Sequence, residues 1–215
     1  MSIRGTCGIA LLSVCTLTAC KKGSERADSA ALADSAAKAA AAAPPPAPTP
    51  PPLTDANIVA LLDEANAGDS TIAVIAVKQG TAASVKNFAR TMIHDHHALR
   101  RAGQDLAKKL NLTAAPPAND TLPAGVQKAA DNLKAMPKGP DWDKAYIGGE
   151  VAAHQAVLAL LQTAQGAATD TSLKALIVKG TGTIEGHLKL AQDIATKLNS
   201  APAAAAPADT SKKKP

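Results

Sequence analysis

VKNFARTMIHDHHALRRAGQDLAKKL, residues 85–110, is the stretch whose reading decides the fold. Strides of four and three from its first residue pick out Val85, Ala89, Met92, His96, Leu99, Gly103, Leu106 and Leu110. That is the spacing of a helix burying one seam against its partners. His96 lies on the seam, whereas His94 and His97 fall beside it and read as surface residues. The same strides give three further seams. The first is Ile58, Leu62, Ala65, Asp69, Ile72, Ala76 and Gln79; the next is Asp143, Ile147, Glu150, His154, Val157, Leu161 and Ala164; the last is Leu173, Ile177, Gly180, Ile184, His187, Ala191, Ile194 and Leu198. Each places at least one residue of metal-ligand type among apolar neighbours.

Breakers and caps set the limits of these helices. Thr54 or Asp55 is expected to cap the first helix, Thr81 or Ser84 the second, Asp141 the third, and Asp170 or Thr171 the fourth. The first two are separated only by the break at Gly80-Thr81, and so short a connection requires antiparallel neighbours. Residues 111–123 hold Pro116-Pro117 and Asn119-Asp120, which is loop chemistry. A short helix over about 123–136 follows, with Val126, Ala130 and Leu133 inward, until Pro137-Lys138-Gly139-Pro140 stops it. The expected fold is therefore all-α, an antiparallel four-helix bundle over residues 53–199 with a short extra helix in the long connection between helices 2 and 3.

The core must be built from small aliphatic residues, because the only aromatic side chains in the 215 residues are Phe88, Trp142 and Tyr146. The formal charge is +5. Its basic residues are dispersed along helical patterns, and no basic run interleaved with aromatics points to nucleic acid. A glycine-rich phosphate loop and a serine nucleophile elbow are also missing from the sequence.

The ends of the chain carry a different message. Arg4, an apolar run over residues 8–14, and Leu17-Thr18-Ala19-Cys20 have the order of an export signal, occupying residues 1–19. The four residues before and at the processing site resemble a bacterial lipobox, which makes Cys20 the lipidated first residue of the mature chain. Cys7 and Cys15 leave with the signal, so the folded part is expected to hold without a disulfide. A membrane anchor made of lipid at Cys20 follows, with no transmembrane helix. Residues 20–52 are rich in Ala and then Pro, a stalk of polyproline type. Residues 200–215 form an Ala/Pro tail ending in three lysines before Pro215, suited to weak contact with acidic envelope polymers.

Counting along the helices at about 1.5 Å per residue puts Asp69 and His96 within about one turn of the same depth, and His154 and His187 likewise. Glu150 is one turn from His154. Bundle cores of this kind assemble metal sites from facing helices. Three imidazoles with one or two carboxylates suit an ion of Zn, Cu, Ni or Fe better than Ca or Mg, which prefer oxygen alone. Asp69, His96, Glu150, His154 and His187 are the candidate ligands; no catalytic residue is assigned. A Glu-x-x-His pair of the di-iron bundles is not present in the sequence. Two other readings stay open: a purely hydrogen-bonded network of buried His, Asp and Glu in an envelope structural or stress-related protein, and a metal-dependent redox enzyme.

With these residues on the page, the chain resembles the bacterial domain-of-unknown-function family 4142. The resemblance covers about residues 54–195. It rests on Asp69, where the family has Glu; on Val85-Lys86-Asn87-Phe88-Ala89 followed by Met92 and Asp95-His96; on Trp142-Asp143 with Tyr146 and His154; and on His187-Leu188 with Ala191. It implies a ferritin-like helical bundle, export to the cell envelope, and an outer-membrane location facing the periplasm. It implies no activity.

Overall fold

The computed structural model describes residues 52–200, and these are all-helical. Five helices follow in order: α1 (Asp55–Gln79), α2 (Ala83–Lys109), α3 (Leu122–Ala135), α4 (Pro140–Ala167) and α5 (Thr171–Ser200). The expected signal, the lipidation residue Cys20, most of the stalk and nearly all of the tail lie outside the described residues. No described helix is long and apolar enough to cross a membrane.

Local chemistry explains where the helices begin. Thr54 caps α1 through a reciprocal pair, its hydroxyl accepting from the Asn57 amide at 3.2 Å while Asn57 Oδ1 accepts from the Thr54 amide at 3.0 Å. Asp170 caps α5, accepting from the amides of Ser172 and Leu173 at 2.7 and 3.0 Å. At α2 and α4 the expected caps are not the observed ones. The residue preceding α2 is Ala82, which has no side-chain acceptor, and Ser84 lies inside the helix. The acceptor instead comes from α4: the Asp143 carboxylate takes the Thr81 and Ala82 amides at 2.8 and 2.7 Å and the Thr81 hydroxyl as well. Asp141 does not cap α4; Gly139, at φ 155°, precedes Pro140, whose missing N–H suits the first turn, and Asp141 joins Asp143 there.

The connection between α1 and α2 is tight enough to need its glycine. A Cβ on Gly80 would lie 2.7 Å from the Ala76 carbonyl and 3.1 Å from Val85 Cγ1. At the other end, the Asp55 carboxylate accepts from the amides of Thr169 and Asp170 and from the Thr169 hydroxyl, tying the α4–α5 turn to the start of α1. The Trp142 indole donates to the Leu133 carbonyl at 2.7 Å and locks α4 to the end of α3.

α1 packs against α2, α3 and α4, and α5 packs against α4 and α2. The seams expected on α4 and α5 are buried almost throughout, with only Val157 and Leu198 half-covered. α1 departs from the expected single seam. Val59, Leu61, Asn66, Ala73 and Ile75 are also buried, because three helices surround it. Only one stripe had been expected to face inward.

The apolar core falls into two clusters. One gathers Ala73, Ala76, Val85, Phe88, Met92, Trp142, Tyr146, Ile147 and Ala191; the other gathers Ile58, Val59, Ala107, Leu161, Leu173, Ile177 and Ile184. On each of α1, α2, α4 and α5 the residues that fall between the two clusters include a candidate ligand. Asp69, His96, Glu150 with His154, and His187 thus form a polar layer between two apolar ones.

Candidate metal centre

Each ligand-type side chain reaches this layer by helical phase. His96 continues the Val85–Ala89–Met92 stripe of α2 and is 3% exposed; His154 continues the Ile147–Glu150 stripe of α4 and is 1% exposed. Glu150 and His187 are buried too, at 3% and 5% exposed. Asp69 is less enclosed, with 9% of its side chain exposed. His94 and His97 are exposed, as their positions off the stripe require.

The five residues meet. One ring nitrogen from each of His96, His154 and His187 lies within 4.8 Å of the others, and one ligand atom from each of Asp69, Glu150 and His154 forms a second group of the same compactness. His154 belongs to both. His96 Nε2 is 3.5 Å from Asp69 Oδ1, and His154 Nε2 is 3.9 Å from Asp69 Oδ2. The His96 ring centroid lies 5.2 Å from that of His187 and 5.6 Å from that of His154.

The remaining ring nitrogens show how the imidazoles are oriented. His96 Nδ1 is 2.9 Å from Asn66 Oδ1, His154 Nδ1 is 2.9 Å from the Glu150 carbonyl, and His187 Nε2 is 2.9 Å from Asp95 Oδ2. A carbonyl or carboxylate oxygen only accepts, and Asn66 has its amide nitrogen engaged on the Leu62 carbonyl at 2.6 Å. All three bound nitrogens must therefore carry the proton. The second nitrogen of each ring, His96 Nε2, His154 Nε2 and His187 Nδ1, is buried without a hydrogen-bond partner, and at His96 and His154, which burial holds below their ordinary values, it carries a bare lone pair. Asp69 Oδ1 and Glu150 Oε2 are buried in the same condition. Sequence periodicity missed Asn66 and Asp95 as orienting residues. Asn66 sits three residues before Asp69 on the same face of α1, which was a usable signal; Asp95 lies off the α2 seam and becomes visible only when α5 is in place.

Burial sets the protonation of the group. It raises Asp69 to about 7, and it raises Glu150 well above the ordinary carboxylate range, with the Asp69 charge adding to the effect. Burial lowers His96 to about 3, helped by the neighbouring His187 and His154, and lowers His154 to about 4. The Tyr146 hydroxyl lies beside Glu150, buried and unpartnered, and burial with the Glu150 charge pushes its phenol far above the usual value. Burial raises Asp95 as well, but the hydrogen bonds from His94 and His187 outweigh it and leave that carboxylate below its ordinary value.

Unpartnered nitrogens of three imidazoles gathered with unpartnered oxygens of two carboxyls are a donor set suited to a cation that displaces the carboxyl protons. A sequence profile described as Domain of unknown function (DUF4142) matches residues 36–194. The chain belongs to this family. In this DUF4142 chain the match begins earlier than the motifs alone suggested, at residue 36 instead of about 54. No curated protein and no solved structure matches the DUF4142 chain.

Proposed function

We propose that this chain is a metal-binding helical bundle of the bacterial cell envelope, holding one divalent transition metal ion among His96, His154, His187 and Asp69, with Glu150 beside it. One observation carries the reading. Three buried imidazoles each donate one N–H to a fixed oxygen and turn a bare lone pair on the other nitrogen toward the core, the outer-shell pattern of metal-bound histidine. The mixed nitrogen and oxygen set favours Zn, Cu, Ni or Fe. In the alternative hydrogen-bonded network, protons on Asp69 and Glu150 would have to serve the same lone pairs. The 3.5 and 3.9 Å separations around Asp69 are long for that role.

The arrangement that supports the site is a ferritin-like antiparallel four-helix bundle formed by α1, α2, α4 and α5. The order of the two apolar clusters supports it, since that order reverses between α1 and α2 and between α4 and α5. Attachment to the outer membrane, facing the periplasm, is proposed through lipid on Cys20. Replacing Cys20 by Ser should abolish incorporation of a fatty-acid analogue, and unchanged labelling would refute that part.

The metal reading is tested on the full chain purified without a His tag. A stoichiometric ion is expected, lost to a chelator with a fall in melting temperature that is restored by adding the ion. His96→Ala should remove most of the metal-dependent increment. An increment surviving His96→Ala unchanged would place the ion elsewhere and refute the site.

A further inference from the structure

A groove of about 890 Å³ lies between α3 and the facing sides of α1 and α4, and its inner wall includes Asp69, Glu150 and Tyr146. The three histidines do not border it. The ligand layer therefore meets the large groove through its carboxyl side, while on the imidazole side only His96 borders a cavity, a small one of about 40 Å³.

The gap is written into small side chains. Ala145, Gly149, Ala153 and Ala156 repeat along the α4 side, Gly125 faces them from α3, and a Cβ built on Gly149 or Gly125 meets nothing within 4 Å. α3 cannot close it by moving toward α1, because a Cβ on Gly68 would already lie 2.5 Å from Val126 Cγ2. Leu61, Val126, Leu133 and Leu160 make much of the remaining wall aliphatic, while Asn119, Asp120, Thr121 and Asn132 add polar groups from α3 and the segment before it. The volume is that of a small-molecule site, and Asp69, Glu150 and Tyr146 form its buried polar group, of the kind that fixes a ligand's orientation. Glu150 Oε2 and the Tyr146 hydroxyl are buried there without partners, and Glu150 is 3% exposed. From Glu150 to Leu160 the α4 wall runs about 15 Å.

We propose that the groove binds an elongated, mostly apolar small molecule with one oxygen-bearing head group, the head seated against Asp69 and Glu150 and the tail lying along α4 toward Leu160. The seating of the head on the side of the ion that the histidines leave open rests on the metal reading above. The lodging of the tail does not.

Alkyl hydroxamates of two to eight carbons test both parts. Their head group coordinates an ion and also carries both donors and acceptors for the carboxyl groups of Asp69 and Glu150. Zinc uptake by the full chain is measured first, with zinc chloride alone, by calorimetry. Each hydroxamate is then titrated into the zinc-loaded and the metal-free chain. Affinity is expected to rise about two- to fourfold per methylene in both forms, and the loaded chain should bind each member at least about tenfold tighter. Gly149→Phe, which fills the groove from a helical position, should abolish the chain-length gain while zinc uptake and helical content stay unchanged. Gly148→Phe, one residue away and outside the groove, should keep the gain. Affinity independent of chain length in the parent, or a gain that survives Gly149→Phe, would overturn the groove proposal even if zinc binds. A chain-length gain with equal affinity in the two forms would overturn the seating of the head, and failure of zinc uptake in the first step would identify the metal reading as the fault.

Discussion

Raising the pH should weaken the metal-free chain while leaving the metal-loaded chain unaffected. Asp69, at about 7, and Glu150, well above its ordinary value, keep protons in the folded core that the unfolded chain has already released. Their contribution is complete below about pH 4 and is lost as the pH rises through the folded values. His96 and His154, held at about 3 and about 4, act in the opposite sense. Their contribution is complete above the unfolded value of about 6.5 and is lost as the pH falls through the folded ones. Between about pH 4.5 and 6.5 the two protons kept by the carboxyls match the two refused by the imidazoles, and these four groups together leave stability flat. Above about 6.5 the histidines are neutral in both states, so only the carboxyl loss remains. One retained proton is worth about 1.4 kcal/mol per pH unit. From about pH 6.5 to 8.5 Asp69 alone accounts for a loss of about 1 kcal/mol, and Glu150, raised by burial, adds to it in the same direction. For a domain of this size the Asp69 part lowers the melting temperature by about 2–4 °C. A bound divalent ion holds both carboxylates ionised and should remove the decline. Melting curves in chelator and in buffered zinc across this range provide the assay, with Asp69→Asn and Glu150→Gln each expected to reduce the metal-free slope. A metal-free melting temperature that holds steady or climbs above about pH 6.5 would show that the carboxyl protons are not retained.

Three further outcomes follow from the contacts. Asp143→Ala removes the acceptor of two amides and a hydroxyl at the start of α2 and should destabilise by about 3 kcal/mol in denaturant melts; Asp143→Asn should lose less. Gly68→Ala should destabilise by about 1–2 kcal/mol, because its Cβ would lie 2.5 Å from Val126 Cγ2. In a Val126→Ala background the same change should instead stabilise by about 0.5–1 kcal/mol, the helix-propensity gain showing once the clash is gone. Asn66→Leu leaves the His96 Nδ1–H without its acceptor and should weaken zinc binding about 10- to 100-fold in calorimetry, while His97→Ala, on an exposed side chain, should leave it unchanged.

The legible part of this molecule is the part written in one helix at a time. Burial of His96, Glu150, His154 and His187 follows from stride alone, because each continues an apolar stripe that has a single partner side. α1 was less legible for a physical reason: it is enclosed by α2, α3 and α4, so its inward residues no longer share one phase. The caps divide in the same way. Thr54 and Asp170 act on amides a few residues away and can be read locally, whereas the acceptor at the start of α2 is Asp143 on another helix. No local motif records a contact that only the tertiary fold makes. The groove was invisible for a related reason, since Ala145, Gly149 and Ala153 read as ordinary helix formers until α3 is placed opposite them.

The polar layer is hard to understand as a device for stability. Replacing buried ionic groups by well-packed apolar ones is often neutral or stabilising. The layers on either side show that this chain has such residues to place, with Ile147 and Ile184 each one helical turn or less from a ligand-type neighbour. One nitrogen of each of His96, His154 and His187 is buried without a partner while the opposite nitrogen is held by a chosen oxygen. A network serving only register would pair donors with acceptors inside itself. Here each ring spends its N–H on an oxygen that is not a candidate ligand atom, and its other nitrogen stays unpartnered beside unpartnered oxygens of Asp69 and Glu150. Under the metal reading a divalent ion takes the place of the carboxyl protons, and the helices fix the ligand atoms through contacts that do not depend on the ion, from the Trp142–Leu133 bond to the Asp143 cap.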